Sequence, residues 1–441
     1  MIQIAQILFI LSVLVILHEL GHYIAAKIFK VRIEKFYLFI DAGFSLVKKK
    51  IGETEWGIGW LPLGGYVKLS GMIDESLDEA QMKEPAQHWE FRSKPAWQRL
   101  IIMLGGITVN ILLAWFIYTT MFATVGQKYV STEAIQKNGL VFGDVGKSVG
   151  FENGDRIISV DGKLQDKFNW MIIDVLLSDN IQIERNGQKV NLVLTDEQKG
   201  EIISTEGREF VQPRLNQAII DSVFLDGQAF KAGLKNNDII EAVNGKSCAH
   251  FDQFTDEIKA HKNDTVAITV KRNGSDIILK TLVNKEGKIG FKAKFTERED
   301  YIINKQHTIG TAIPAAVRES WKLFVYNIKQ FKLILKPKTG AYKQVKSPVG
   351  IARQLPDTWN WEFVWNFTAL FSIGLAFMNL LPIPGLDGGH ALFTIAEMVT
   401  GRKLSDKAMG HVQTFGMIIL LTLMVLTFGK DIYQLIADKL F

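Results

Sequence analysis

The stretch IQIAQILFILSVLVILHELGHYIAAKIF, running from Ile2 to Phe29, sets the reading of the whole chain. It is apolar for longer than the ~20 residues a helix needs to cross the hydrocarbon of a bilayer. Near its far end it nevertheless carries His18, Glu19 and His22. An ionisable group at membrane depth costs about 2.5 to 3.5 kcal/mol on insertion scales, so such groups mark functional positions. A secretory signal peptide would show a basic opening and a small-residue cleavage site. Neither is present, and the segment reads as a retained transmembrane helix.

Three further stretches are of similar character: Leu100 to Val125, Phe363 to Leu381, and Phe415 to Phe428 with its apolar flanks. A chain of 441 residues with 22% charged residues rarely has a mean hydropathy above zero unless its apolar residues are gathered in segments. The net charge of +5 follows from topology. Lys27, Lys30, Arg32, Lys35, Lys48, Lys49 and Lys50 follow the first span, and Arg92, Lys94 and Arg99 precede the second, which makes that loop cytoplasmic. Both termini and the segment from about Gly126 to Lys346 then face the other side. No ordered basic and aromatic pattern points to nucleic acid. The lone Cys248 has no partner for an internal disulfide and reads as a small, partly buried residue.

The exported segment contains a repeat. Gly150-Phe-Glu-Asn-Gly-Asp-Arg-Ile-Ile-Ser-Val-Asp-Gly162 aligns without gaps with Gly233-Leu-Lys-Asn-Asn-Asp-Ile-Ile-Glu-Ala-Val-Asn-Gly245. Each copy reads as a turn, a short strand and a tight Asp-Gly or Asn-Gly turn, with later strands such as Asn180 to Arg185 and Thr265 to Arg272. These cores resemble PDZ domains, which bind an extended peptide along a sheet edge; a plain spacer is the alternative. After the second copy, Ala315 to Lys336 mixes Trp321, Phe324, Phe331 and Leu335 with Arg318, Lys322, Lys329 and Lys332. That pattern suits a helix on the membrane surface, or one packed on the second domain.

His18-Glu19-Leu20-Gly21-His22 places two imidazoles one above the other on a helix face, at a separation one metal ion can bridge. Zinc is the natural occupant. Glu19 points about 100° around the helix, near enough to take a proton from water at the metal without ligating. Zinc hydrolases generally use three protein ligands. The third is expected from Asn379-Leu-Leu-Pro-Ile-Pro-Gly-Leu-Asp387-Gly-Gly-His390, where Pro382, Pro384 and Gly385 break an apolar helix just before Asp387. His390 is a rival ligand, read instead as a helix-start residue. Asp387 has its own plainer reading as a helix cap.

His18-Glu19-x-x-His22 in the first span, with Asn379 to Asp387-Gly388 in a later one, closely resembles the site-2 protease family of intramembrane metalloproteases, and the resemblance covers nearly the whole chain. It implies zinc held by His18, His22 and Asp387, and Glu19 as catalytic base and acid. It implies that Gly57 to Gly71, which reads as hairpin strands, is a membrane-associated β-element beside the active site, with Gly65, Tyr66 and Val67 binding substrate. Asn379 is similar to a family residue that positions substrate; its plainer role is a polar contact between helices. The family often has Gly-Pro-x-x-Asn in the second span. This chain reads Gly106-Ile-Thr-Val-Asn110, without the proline.

The expected architecture is a multi-span α-helical membrane protein. Transmembrane helices occupy 1–29, 97–126, 359–386 and 412–436, with a cytoplasmic, membrane-associated β-element within 30–96. PDZ-like α+β domains follow at 127–220 and 221–300, amphipathic surface helices at 301–358, and a cytoplasmic loop at 387–411. The resemblance implies zinc-dependent cleavage of single-span membrane proteins of the anti-sigma factor type, and of remnant signal peptides, in a bacterial inner membrane. The PDZ-like domains would gate access from the periplasmic side. A non-catalytic PDZ scaffold is the alternative class, and it would be expected to have lost one of the four site residues. A transporter would show paired inverted repeats of spans, which are not found.

Overall fold

The computed structural model describes residues 2–62, 64–72, 85–205, 210–295, 301–403 and 405–440. Residues 73–84 of the expected cytoplasmic segment and 296–300 at the end of the second domain lie outside them. The chain forms two compact units, one of residues 1–126, 306–331 and 345–441, the other of 127–305 and 332–344.

The first unit opens with α1 (Ile2–Ile28), a sheet of β1 (Ile33–Leu38), β2 (Ile40–Ile51), β3 (Thr54–Leu61) and β4 (Tyr66–Leu69), and α2 (Ala96–Thr124). The second unit begins with β5 (Gln127–Val130), α3 (Thr132–Ile135), β6 (Leu140–Phe142), α4 (Asp144–Ser148), β7 (Arg156–Val160), α5 (Phe168–Leu177), β8 (Ile181–Arg185), β9 (Gln188–Leu192), α6 (Asp196–Ser204) and β10 (Val211–Pro213). It continues with β11 (Ile219–Val223), α7 (Gln228–Lys231), β12 (Ile239–Val243), β13 (Lys246–Ser247), α8 (Phe251–Ala260), β14 (Thr265–Arg272), β15 (Ser275–Leu282), β16 (Phe291–Lys294) and β17 (Ile302–Lys305). Then come α9 (Ile309–Ile334), α10 (Pro348–Ala352), α11 (Trp361–Leu380), α12 (Asp387–Thr400) and α13 (Asp406–Leu440). Among the described residues four helices, α1, α2, α11 and α13, are long and apolar enough to cross a membrane.

In the first unit α2 lies between α1 and α11. Glycine allows the closest approach: a Cβ on Gly105 would sit 2.6 Å from the main-chain oxygen of Gly21, so the two backbones touch where larger residues would hold them apart. Ile10 and Leu14 of α1 pack on Val364 of α11. At the outer end of the pair, Phe9 meets Trp359, Trp361 and Trp365 at ring separations of 5.7 to 5.9 Å. Such aromatic clusters suit a membrane interface.

Two expectations are corrected in this unit. Gly57 to Gly71 is not a hairpin, because the strand order is β2-β3-β1-β4 and β1 separates β3 from β4. The hairpin is β2–β3, and β3 pairs with β1 in parallel. Alternation identifies strands but not their partners; β1 takes the centre because Ile33, Phe36 and Tyr37 are its buried side chains. Residues 387–411, expected as a loop, begin with α12, which meets α2 and is tied to it by Arg99 Nη2 donating to Glu397 Oε1 at 2.5 Å. Its buried face is small (Gly388, Gly389, Ala391, Thr394), while Leu392, Ile395 and Met398 are exposed, so it lacks the usual core signature of a helix.

Residues 301–358 also differ from the expected surface helices. They hold β17, α9, turns at Pro337–Thr339 and Ala341–Gln344, and α10. Phe324 and Phe331 of α9 meet Phe377 of α11 at 5.8 and 6.0 Å, so this helix rests on α11.

In the second unit the repeat is structural. Asp161 and Gly162 (φ 48° and 75°) form the same left-handed two-residue turn as Asn244 and Gly245 (φ 49° and 79°). The shared Asp makes the same bonds in both copies. Asp155 accepts Arg185 Nε and Nη2 at 2.8 and 2.7 Å and the Glu152 N–H at 2.9 Å. Asp238 accepts Arg272 Nε and Nη2, both at 2.7 Å, and the Lys235 N–H at 2.8 Å. Burial by itself would raise the Asp238 carboxyl, but the Arg272 and Lys235 hydrogen bonds outweigh it and hold the group below the usual carboxylate range. Separate cores fill the two copies, around Phe142, Phe151 and Phe210 in one and Val266, Ile268 and Val270 in the other. Leu215 still packs on the first and Ala218 on the second, so the boundary falls near 216, before the expected 220. The chain then returns to the first core at Tyr301, and β17 pairs with β5. Cys248 is buried in the second core.

Candidate metal centre

His18 and His22 are buried on one face of α1, their rings 4.9 Å apart and edge to face. Asp387 arrives from the broken segment. After α11 ends at Leu380, Gly385 turns the chain with φ 91°, and α12 starts at once with Asp387 in its first turn. The following glycines make that start possible: a Cβ on Gly388 would lie 2.6 Å from the Leu380 carbonyl, and one on Gly389 2.5 Å from that of Ile383. The N-cap is Leu386, so Asp387 is not the cap.

Asp387 Oδ2 lies 3.2 Å from Nε2 of His18 and 3.2 Å from Nε2 of His22, and the two nitrogens are 3.3 Å apart. Donors 2.0 to 2.2 Å from a tetrahedral zinc stand roughly 3.3 to 3.6 Å from one another, so this triangle has the size of one face of such a site. The proton positions point the same way. His22 Nδ1–H donates to the Ile102 carbonyl at 2.8 Å, which turns the Nε2 lone pair toward the carboxylate. Two electron-rich atoms then face each other, and the buried Asp387 Oδ2 has no hydrogen-bond partner. A cation between them resolves the conflict, and the two-imidazole, one-carboxylate set is one that zinc takes. Among the described residues, His18, His22 and Asp387 are the donors close enough to share a metal. His390 is not in the group; it pairs with Gln413 of α13.

The other expected residues surround this triangle. Glu19 lies where the end strand β4 and the turn before it meet α1. Gly65 makes that approach possible, since a Cβ there would lie 2.5 Å from Val15 Cγ1 and 3.4 Å from Glu19 Cγ. Tyr66 turns away, stacking on Tyr37 at 5.2 Å and donating to Asp41 Oδ1 at 2.9 Å. Asn379, one turn before the break, sets Nδ2 3.2 Å from His18 Nε2.

With this geometry in view, the comparisons with known proteins are decisive. The description Peptidase family M50 matches residues 6–423. The chain belongs to peptidase family M50. Its relatives include the Regulator of sigma-E protease RseP of Escherichia coli, 28% identical over 98% of this chain and 99% of that one. The Regulator of sigma E protease of Haemophilus influenzae is 27% identical over 96% and 97%. A Neisseria meningitidis relative, 26% identical over 98% of both chains, has zinc metalloprotease in its name. This M50 protein is thus a zinc metallopeptidase of the site-2 type.

Sequence reasoning missed how the M50 site is supported from α2. The Ile102 carbonyl carries no sequence signal at all. Gly106 stood out only as part of a motif that lacks its proline, yet a Cβ there would lie 2.5 Å from both His18 Cε1 and His22 Nε2. Gly106→Ala is therefore expected to push both imidazoles from the triangle, weakening zinc retention at least tenfold, within the usual cost of disturbing ligand support. Zinc content after dialysis against a chelator checks this, and wild-type retention would show that the ligands are not constrained there.

Proposed function

We propose that this M50 peptidase hydrolyses peptide bonds of single-span membrane proteins inside or at the edge of the bilayer. In this reading His18, His22 and Asp387 hold the zinc and Glu19 moves the protons. The observation that carries it is the 3.2 to 3.3 Å triangle of donors, with Glu19 beside it on the same helix and the end strand β4 against that helix.

Zinc supplies a Lewis acid that polarises a carbonyl and acidifies a water molecule. Glu19 takes the proton of the attacking water and passes it to the leaving amine nitrogen. Asn379 offers an amide N–H toward the same point, where negative charge grows on the scissile carbonyl oxygen. An unwound substrate needs partners for its backbone where water is scarce, and β4, with Gly65 and Val67, provides a sheet edge. Co-expression of candidate single-span proteins with wild type or a Glu19 variant tests the reading. A truncated product is expected with wild type alone.

The client class follows from the names of the Escherichia coli and Haemophilus influenzae relatives, which regulate sigma-E. An anti-sigma factor anchored by one span is the expected substrate, and remnant signal peptides are a second. The membrane is then a bacterial inner membrane, with the Lys- and Arg-rich loop after α1 cytoplasmic and the repeat domains periplasmic.

The repeat domains are read as PDZ-like gates. In the second copy β16 ends the sheet order β15-β14-β12-β11-β16, and Phe251 and Phe254 of α8 meet Phe295 and Phe291 beside it. An end strand next to an apolar helix is the arrangement that accepts an extended peptide. Replacing residues 127–305 by a short linker is expected to let the enzyme cut substrates whose exported part is still bulky, at rates near those of trimmed ones. Unchanged discrimination between trimmed and untrimmed substrate would count against gating.

A further inference from the structure

We propose that Asn110 is a positioning residue for the zinc site, its carboxamide oxygen accepting the Nδ1–H of His18 and so aiming the Nε2 lone pair at the metal. The proposal rests on the reading of His18 as a ligand.

Asn110 is fully buried in α2, and its main-chain carbonyl accepts Ser372 Oγ of α11 at 2.7 Å, which fixes this turn of the helix. Its side-chain amide lies 3.1 Å from His18 Nδ1. The other ring nitrogen, Nε2, is the one that faces Asp387 and His22. A neutral imidazole that ligates through Nε2 carries its proton on Nδ1, and that N–H needs an acceptor. The only acceptor on a carboxamide is its oxygen.

With the amide nitrogen on His18, Asn110 Oδ1 is left buried without a partner. The oxygen and nitrogen of an amide are alike in shape, and their assignment follows from the hydrogen bonds they make. A half-turn of the amide gives the stranded oxygen a donor and gives His18 the tautomer that a ligand requires. His22 displays the same arrangement with a main-chain group, since its Nδ1–H donates to the Ile102 carbonyl of the same helix. Both ligands borne by α1 thus have their outer nitrogens held by oxygens of α2, the pattern that orients metal-binding histidines generally. A buried Asn that merely joined two helices would have no reason to leave its oxygen unbonded beside an imidazole.

The test measures zinc affinity of the purified full-length protein by competition with a chromogenic chelator, for wild type, Asn110→Leu and Asn110→Asp. Removing an outer-shell partner of a metal ligand weakens binding about 10- to 100-fold, and that is the loss expected for Leu. Asp keeps an acceptor in place and is expected to equal or exceed wild type. A packing role predicts the reverse order, because Leu fills the space and a buried carboxylate disrupts it. Wild-type affinity in the Leu variant, or weaker binding in Asp than in Leu, overturns the proposal. Where the Leu variant does not fold, the Asp variant decides alone: affinity at or above wild type supports the assignment and a loss overturns it. Absence of zinc binding in wild type would instead defeat the metal reading itself.

Discussion

Glu19→Gln is expected to keep its zinc and lose its proteolysis. The amide matches the carboxylate in shape, so the approach of β4 to α1 beside it is kept. None of the three donors of the metal triangle is altered. What disappears is the ability to take a proton from water and return it to the leaving nitrogen. General acid–base catalysis contributes about 10² to 10⁴ in rate, and in the proposed mechanism Glu19 serves both steps, so the fall in kcat should reach at least the lower figure. Incubating purified enzyme with a single-span substrate, with zinc measured on the same sample, gives both halves of the result. Cleavage at a tenth of the wild-type rate would place the base elsewhere.

Asp387→Asn removes the metal as well. The substitution exchanges an anionic donor for a weak neutral one in a set of three, and two imidazoles from one helix are left to hold the cation. Zinc is expected to fall from wild-type stoichiometry to background after dialysis, and activity with it. Zinc held by the proposed ligands would join α1 to α12, and binding to the folded state alone adds to stability, so the loaded wild type should melt higher than the variant. A capping role predicts something different: a cost of about 0.5 to 2 kcal/mol with the metal retained. The N-cap at Leu386 already argues against that role. Full zinc occupancy in the Asn variant would remove Asp387 from the ligand set.

Much of this site could be read from sequence because the chemistry concentrates rare residues in one setting. Two histidines and a glutamate in a membrane-length helix are costly to bury unless they share a cation and a proton, and the Pro382, Pro384 and Gly385 break marks where a third ligand could enter. The sequence repeat likewise survives as matching turns and matching Asp–Arg bonds, since its shared aspartate and turn glycine have the same local task in both copies. Partnerships across the chain were less legible. Strand alternation does not say that β1 sits between β3 and β4, because every strand offers the same backbone groups on both edges. α12 went unrecognised because its inward face is glycine, alanine and threonine, which do not register as a core stripe. Asn110 and Gly106 stood out only as a departure from a familiar pattern, and their significance depends on two rings contributed by another helix.

The two histidine supports on α2 differ in heritability. The acceptor at position 102 is a peptide carbonyl, present whatever side chain is encoded, so drift at that codon alters only how the helices fit. The acceptor at position 110 belongs to a side chain, and a single nucleotide change can delete it. Homologous chains should therefore vary freely at the first position within the limits of size, and hold to oxygen-bearing residues at the second.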